Sequence, residues 1–349
     1  CPQALARFIF LIGHVSIRLL AHIEACEKAL TRRRQDAAEG GARGAAAPEP
    51  AEPAKKSTRK KGAAQAEAAA AAEEEEEDIS KELGTDAATD EAASDGLLAL
   101  GERLLESDQL LGCWAPLVVK VCLDAEGSFE PKLRAAAVLT LCKFMCTSAS
   151  FCDAQLQTLF TLMKRETEPA IRMTVAVALG DLVVRHPNLL EPWTASIYAQ
   201  LRDADARVRN AMLMVLTHLI LNDMVKVKGQ AAEMALTLLD GEPRISALSR
   251  LFFNEFAKKS SSPIYNLLPD ILSSLSARPD VEPEAFREIM GFLVPFVGKD
   301  RQAESMVEKL ASRFGTSDAV EHHRAVAFCL GALPHSERTV KKLLDLSKT

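Results

Sequence analysis

The hydrophobic positions repeat along the middle of the chain. Four segments align without gaps, starting at Glu130, Glu168, Asp205 and Glu242, so that successive starts are 38, 37 and 37 residues apart. Within each segment, apolar or small residues recur at i, i+4, i+7, i+8 and i+11, which places them on one face of an α-helix. An acid–Pro pair opens three of the segments, and both residues favour the first turn of a helix. The pattern therefore predicts a helix in each segment.

Shorter apolar segments between and after these four predict a second helix for each repeat. The predicted second and later helices cover residues 153–165, 189–202, 225–239, 264–276, 284–297, 301–314, 318–332 and 336–346. A helix pair that returns every 37 to 38 residues is typical of HEAT-repeat solenoids, in which stacked neighbours bury faces that no single repeat can bury. We predict an all-α HEAT-repeat α-solenoid over residues 97–349, with its clearest repeats over 130–278.

The N-terminal hundred residues divide into two parts of different composition. Residues 1–34 predict an apolar helix that ends in a basic run and belongs to the solenoid. Residues 35–96 contain almost only Ala, Glu, Asp, Gly, Pro, Lys, Ser and Thr, with 16 acidic and 7 basic side chains and a net charge of −9. Such a segment cannot bury enough apolar surface to offset its ordering entropy. We predict a long disordered acidic insert over 35–96.

Composition and charge restrict the class of protein. The chain is 48% hydrophobic and only 5% aromatic, which favours helices over β-sandwiches or barrels. Without the insert the total charge of −6 becomes +3, so the folded part is mildly basic and a nucleic-acid partner is compatible with it. The eight cysteines show no paired CxxC spacing, which fits a reducing compartment. The apolar stretch 8–15 is too short to span a bilayer, so we expect a soluble protein without a membrane partner.

Charged residues predict a second periodic feature. Glu166 precedes Arg172 by six residues, and Asp203 precedes Arg209 by the same spacing. Asp240 has the equivalent place in the last of the four repeats, which lacks the Arg. An acid that ends one helix and an Arg that opens the next can form a ladder of ion pairs along stacked repeats. The alternative is a set of isolated surface charges that contribute little.

The sequence contains no complete catalytic or metal-binding motif. The stretch 291–300 (GFLVPFVGKD) differs from a phosphate-binding loop, because six residues separate its glycines and an Asp replaces the Ser or Thr that binds magnesium. Cys142 and Cys146 lie one helical turn apart with Cys152 nearby, and no His accompanies them in sequence, so we interpret them as buried structural thiols. The sequence predicts a protein that is not an enzyme and has no cofactor, no metal and no small-molecule substrate.

Basic residues outside the insert are candidates for contacts with DNA phosphates, which require no reading of bases. The candidate DNA-binding residues are Arg207, Arg209, Lys226, Lys228, Lys258 and Lys259. The alternative is that they are solvated surface charges or, for Arg209, part of the ladder. A second basic cluster within the insert is either a nuclear-localisation signal or a counterweight to the acidic run, and its residues are Lys55, Lys56, Arg59, Lys60 and Lys61.

Several long stretches resemble a known family. They include LCKFMCTSASFCDAQL (141–156), ALGDLVVRHPNLLEPWT (178–194), VRNAMLMVLTHLILNDMVKVKGQ (208–230) and IYNLLPDILSSLS (264–276). In order and spacing they are similar to the C-terminal portion of the condensin complex subunit 1 family, the HEAT-repeat subunits of condensin. The resemblance covers nearly the whole chain except the insert. HLILNDMVKVKGQ fits the condensin I form better than the condensin II counterpart.

The resemblance implies a function that composition and periodicity do not show. A member of this family is a non-catalytic scaffold of the ring-shaped ATPase that compacts mitotic chromosomes. Its implied partners are the kleisin subunit, the two ATPase subunits, directly or indirectly, and double-stranded DNA. Its implied location is the nucleus and mitotic chromosomes, with cytoplasmic protein in interphase. The alternatives are the condensin II counterpart and a protein-docking adaptor without direct DNA binding.

Overall fold

The structure, a computed structural model, describes residues 2–44, 96, 99–124, 127–227, 229–259, 263–298, 300–316 and 320–346. Within these ranges every regular element is a helix, which confirms the all-α prediction. The predicted localisation cluster at 55–61 and the position of Lys228 lie outside the described residues. The chain divides into two compact units, residues 1–155 and 156–349, which are described separately.

Four helices with described bounds lie wholly or partly in the first unit, and residues 99–103 are helical as well. The four helices are α1 (Pro2–Gly44), α2 (Ala115–Cys122), α3 (Pro131–Thr147) and α4 (Ala149–Arg165), which crosses the boundary between the units. Helix α1 continues past its predicted end at residue 34, so residues 35–44 are helical and not disordered as expected. Their Ala and Glu residues are good helix formers, which explains the extension. The remainder of the predicted insert, 45–95, lies outside the described residues.

Helix α1 extends well beyond the apolar stretch 8–15. Its segment Pro2–Arg33 is long and apolar enough to cross a membrane by length and composition, a test that core helices and signal sequences also pass. Only 22% of its most apolar window is buried. The buried residues are Ile9, Ile12, Gly13, Ser16 and Leu20, which lie on one face of the helix. That face packs against α3.

Close contacts between α1 and α3 fix the register of the two helices. The Thr140 hydroxyl donates to the Ile9 carbonyl at 2.9 Å, and the hydroxyls of Ser16 and Thr147 lie 2.6 Å apart. From the first contact to the second, the residue number rises by seven on α1, from Ile9 to Ser16, and by seven on α3, from Thr140 to Thr147. The two helices therefore run parallel. A Cβ atom on Gly13 would lie 2.6 Å from Thr140 Oγ1. The absence of a side chain at Gly13 therefore permits this approach.

A carboxylate ties the chain after the insert to the start of α4. Glu102 accepts the Ala149 N–H at 2.6 Å and the hydroxyls of Ser148 and Ser150 at 2.6 and 2.8 Å. Burial alone would raise the pKa of Glu102, but these hydrogen bonds outweigh it and lower the pKa. The ionised carboxylate thus satisfies free groups at the first turn of α4.

The second unit is a series of helix pairs. Its first helices are α5 (Pro169–Arg185), α8 (Ala206–Leu221), α10 (Pro243–Ala257), α12 (Pro283–Leu293) and α14 (Val320–Ala332). Its second helices are α6 (Pro187–Leu190) with α7 (Thr194–Tyr198), α9 (Ala231–Leu236), α11 (Pro263–Ser276), α13 (Asp300–Ala311) and α15 (Glu337–Leu346). Most agree with the predicted ranges. Residues 225–227 and 229–230, predicted to be helical, instead lie in the loop before α9.

Repeat-related helices stack on one another, as the 37-residue spacing predicts. Helix α5 packs against α8 and α8 against α10, while the second helices α9 and α11 form their own layer. Most of the predicted stripe on α8 is buried: Val208 and Met212 have no exposed surface, Leu216 and Leu219 have almost none, and Val215 is partly exposed. Each fully buried side chain of this size contributes about 1.5–3 kcal/mol, and only a neighbouring repeat can bury it. The α-solenoid is thus present within the second unit.

The Gly13 contact generates a prediction in which a usually stabilising substitution becomes destabilising. Gly→Ala inside a helix normally raises stability by about 0.5–1 kcal/mol. We expect that gain for Gly291→Ala, because a Cβ there would meet nothing within 4 Å. Gly13→Ala should instead lower the free energy of unfolding by about 1–3 kcal/mol, because the new methyl group overlaps Thr140. Urea unfolding followed by circular dichroism compares the two variants, and equal gains would contradict the proposed close packing.

Candidate functional site: the charged edges of the stacked repeats

Two arginines bridge consecutive repeats in the same way. Arg172 donates from Nε and Nη2 to the two carboxylate oxygens of Asp203, each at 2.8 Å, and from Nη1 to the Glu166 carbonyl at 2.9 Å. Arg209 repeats the pattern on Asp240 at 2.7 and 2.9 Å, and its Nη1 donates to the Asp203 carbonyl at 2.8 Å. Each guanidinium therefore ties its own helix to the preceding turn and to the next repeat. These two arginines with Asp203 and Asp240 are the Arg–Asp ladder.

The ladder is confirmed, but its pairing differs from the prediction. The sequence predicted a carboxylate partner six residues before each Arg, whereas the hydrogen bond that each Arg donates to that residue goes to its backbone carbonyl. The carboxylate partner lies 31 residues after the Arg. The reason is local: each acid turns its carboxylate toward the N–H two residues ahead. Glu166 accepts from Glu168 at 3.0 Å and Asp203 from Asp205 at 2.8 Å.

The carboxylates of the ladder are shielded from solvent, and their ionised form is stabilised. The side chains of Asp203 and Asp240 are each 8% exposed. Burial alone would raise the pKa of Asp203, but hydrogen bonds from Arg172 and from the backbone outweigh it, so its pKa is lowered. The pKa of Asp240 is lowered in the same way by Arg209. These carboxylates stabilise the fold above their ordinary pKa near 3.8, and the contribution is lost as the pH falls through the lowered values.

Two of the candidate DNA-binding arginines are engaged within the chain. Both fork nitrogens of Arg209 are bound to Asp240, so this residue has the structural role that the sequence left as its alternative. Arg207 is exposed, and its guanidinium contacts the Asp205 carboxylate at 2.9 and 3.1 Å. Asp205 also accepts the Arg207 N–H and so caps the start of α8. Arg207 remains at the surface, whereas Arg209 does not.

The candidate lysines lie around the loop that follows α8. Lys259 donates to the Asp223 carboxylate at 2.6 Å and to the Ile220 carbonyl at 3.3 Å, which ties α10 to the end of α8. Asp223 has a positive φ of 58°, a left-handed conformation that ends α8. Lys258 is exposed and pairs with Glu255 on its own helix. Lys226 is exposed at the tip of the loop and has no ionic partner among the described residues.

Sequence reasoning missed a second ion-pair cluster on the other helix layer. Glu233 at the start of α9 is bound by Arg202, 31 residues earlier, and by Arg278, 45 residues later. Arg278 also contacts Asp280 at 2.5 and 3.0 Å. Arg202 ends the helical turn that follows α7, whereas Arg278 lies two residues beyond the end of α11. The two arginines do not occupy equivalent repeat positions, so the repeat spacing gave no signal for this cluster. The cluster links second helices as the Arg–Asp ladder links first helices.

The other candidate chemical sites have structural roles. Cys142 and Cys152 are buried, as predicted, whereas Cys146 is only partly buried. Burial raises the pKa of Cys152 to about 12, so that thiol is protonated at neutral pH. No group of three or more His, Cys, Asp or Glu residues within the described ranges could hold a metal ion. Gly291 lies inside α12, so residues 291–298 do not form a phosphate-binding loop.

Comparison with known proteins identifies the repeats. Residues 170–331 match the family model of the non-SMC mitotic condensation complex subunit 1. These residues belong to the condensin subunit 1 family. This match confirms the resemblance that the sequence indicated. The matched stretch includes the Arg–Asp ladder and the loop after α8.

Individual relatives extend the match beyond that stretch. The chain is 47% identical over 270 residues to human "Condensin complex subunit 1", a match covering 76% of this chain and 19% of the relative. It is 39% identical over 355 residues to Arabidopsis thaliana "Condensin-1 complex subunit CAP-D2", covering 99% of this chain and 23% of the relative. Mouse "Condensin-2 complex subunit D3" is 27% identical over 134 residues and covers 36% of this chain and 9% of the relative. The chain thus spans about a fifth of the length of the condensin subunit 1 relatives it matches.

The pairing in the ladder predicts which double-mutant cycles show coupling. Arg209→Ala and Asp240→Ala should couple by about 1–3 kcal/mol, because the bidentate pair is largely buried. Arg209→Ala and Asp203→Ala should couple more weakly, because the Arg209 hydrogen bond to Asp203 goes to the backbone carbonyl, which the substitution retains, and only a charge interaction without a hydrogen bond is lost. Urea unfolding of the two cycles provides the measurement. Coupling in the second cycle and additivity in the first would contradict the observed pairing.

Proposed function

We propose that the chain is part of a condensin I scaffold subunit that acts in mitotic chromosome condensation. The observation that carries the proposal is the 39% identity to a condensin-1 subunit over 99% of the chain. The weaker and shorter match to a condensin-2 subunit favours condensin I over its counterpart. The scaffold is non-catalytic and binds the kleisin subunit. It also associates with the two ATPase subunits, either directly or through the kleisin. It works in the nucleus and on mitotic chromosomes and is cytoplasmic in interphase.

The structure supports a scaffold by the way its repeats are joined. In the second unit, the Arg–Asp ladder links consecutive first helices, and the Glu233 cluster links second helices. Both sets of bonds resist changes in the angle between neighbouring repeats, because bidentate Arg–carboxylate pairs constrain direction as well as distance. A surface held at fixed geometry binds a partner with less loss of conformational entropy. Such a surface suits the docking of a long kleisin chain.

Co-purification tests the kleisin assignment. The chain, co-expressed with the kleisin of condensin I and with both ATPase subunits, should elute with them as one complex. Omission of the ATPase subunits should leave a complex of chain and kleisin, because kleisin is the proposed direct partner. The condensin II kleisin serves as the matched control and should be retained less well. Absence of the chain from every complex would contradict the proposed function.

We further propose weak, sequence-independent binding of double-stranded DNA. The supporting observations are the +3 charge outside the insert and the exposed cations Arg207 and Lys226. Lys228, which the sequence predicts as a second loop cation, and Lys258 extend the set. Arg209 and Lys259 are excluded from it, because they are largely buried and bound by Asp240 and Asp223. Arg207 and Lys258 also have acidic partners, but their side chains remain exposed. With so few phosphate contacts, the affinity should be micromolar or weaker and should fall steeply with salt.

A charge reversal in the loop after α8 tests this DNA-binding surface. Lys226→Glu with Lys228→Glu should weaken binding to a 30-base-pair duplex and lower the magnitude of the salt slope by about two, since each phosphate contact contributes about one. Lys341→Glu with Lys342→Glu is the control, because it makes the same charge change away from the loop, near the C-terminus of the sequence. Fluorescence anisotropy at several salt concentrations measures both variants. Equal loss in the two variants would contradict a role for the loop, and no salt-sensitive binding at all would favour an adaptor without DNA.

A further inference from the structure

The outward face of the first helices in the second unit carries a row of exposed apolar side chains. Val177 on α5, Met214 on α8 and Leu251 on α10 occupy the same position in three consecutive repeats, 37 residues apart. Their exposed fractions are 49%, 52% and 56%. We call these three residues the outer row. Single exposed apolar residues are ordinary, but the same position left apolar on three stacked helices is a continuous feature of the surface.

The helices that carry the outer row lie side by side. A Cβ on Gly180 of α5 would lie 2.6 Å from Val215 of α8, so these helices approach closely. The Arg209–Asp240 pair holds α8 to the start of the α10 repeat. Packed helices lie about 8–10 Å apart, so the three side chains follow one another at that interval across the surface.

Opposite charges border the outer row on its two sides. One turn toward the helix C-termini, at the positions i+4, stand the acids Asp181 and Glu255, and His218 occupies this position on α8. Glu255 is paired with Lys258, so Asp181 is the acid of this border that lacks an ionic partner among the described residues. Two turns toward the N-termini stands Arg244, which is exposed and has no ionic partner among the described residues. Asp181 likewise has no hydrogen-bond or ionic partner in the described part of the chain, and burial raises its pKa. Asp181 is exposed at the surface, so its carboxylate is accessible to a cation on an incoming partner.

The spacing of the outer row selects the shape of the partner. Residues seven apart on an α-helix lie about 10.5 Å apart along its axis and point to nearly the same side. A helix crossing α5, α8 and α10 would thus place one side chain against each residue of the outer row. The helical step of 10.5 Å lies just above the 8–10 Å interval between packed helices, whereas an extended strand returns to the same face every 6.6–6.8 Å and falls well short of it. The geometry favours a helix.

We propose that the outer row docks an amphipathic helix of the kleisin subunit. That helix presents large apolar residues at i, i+7 and i+14, basic residues on the side of Asp181 and Glu255, and acidic residues on the side of Arg244. Apolar burial supplies the affinity, and the two charged borders fix the direction in which the helix lies. The inference rests on the proposed function, because it names the surface by which this scaffold holds its kleisin.

Affinity measurements with purified kleisin test the outer row. Met214→Glu with Leu251→Glu should raise the Kd for kleisin at least tenfold, because two carboxylates would enter the apolar contact. Val340→Glu on α15 is the matched control, since Val340 is 44% exposed and lies outside the row. It should leave the Kd unchanged. Met214→Ala with Leu251→Ala removes the contact without adding charge and should raise the Kd severalfold, and circular dichroism verifies that each variant is folded.

Reversal of one border tests the predicted direction of the helix. Asp181→Lys should raise the Kd severalfold, whereas Asp181→Asn should have a smaller effect because it removes the attraction without adding repulsion. Unchanged affinity in both double variants, with kleisin bound normally by the parent chain, would overturn the outer row and leave the proposed function intact. No binding of kleisin by the parent chain would instead overturn the proposed function itself.

Discussion

The second unit depends on one constraint: no helix pair can bury its own apolar face. The stripe on α8 that includes Val208 and Met212 is buried because α5 and α10 pack on either side of it. Stability therefore requires equivalent helices to stack at a fixed register, and the repeat of 37 to 38 residues encodes that register. The Arg–Asp ladder supplies direction, since a bidentate pair tolerates little rotation of one repeat against the next.

A fixed register has consequences on both sides of each helix. Positions that face inward form the buried stripe, and positions at the helix starts align into the ladder. Positions that face outward align as well, which turns Val177, Met214 and Leu251 into a surface. The same repetition assigns different roles to neighbouring cations. Arg209 joins the repeats, while Arg207, two residues earlier, stays at the surface. A docking scaffold and its binding surface thus arise from one periodicity.

The sequence predicts the features that depend on spacing along one helix. Local patterns correctly predict three features: the start of helices at acid–Pro pairs, the buried stripe, and the burial of the thiols of Cys142 and Cys152. Features that depend on a turn are less accessible. The carboxylate of Asp203 was assigned to Arg209 on spacing alone, but the turn directs it to its own backbone and to Arg172. Likewise, the loop before α9 has enough apolar residues to resemble a helix, although the positive φ of Asp223 and Gly229 marks a break.

Hydrogen–deuterium exchange of the chain with and without bound kleisin tests the central claim most directly. An amphipathic helix lying across the outer row should slow exchange in α5, α8 and α10 together, because it damps the opening of all three stacked helices. Exchange in α13 and α15 should remain as it is in the free chain. Slower exchange confined to the first unit or to the loop after α8, with α5 and α10 unchanged, would contradict the account.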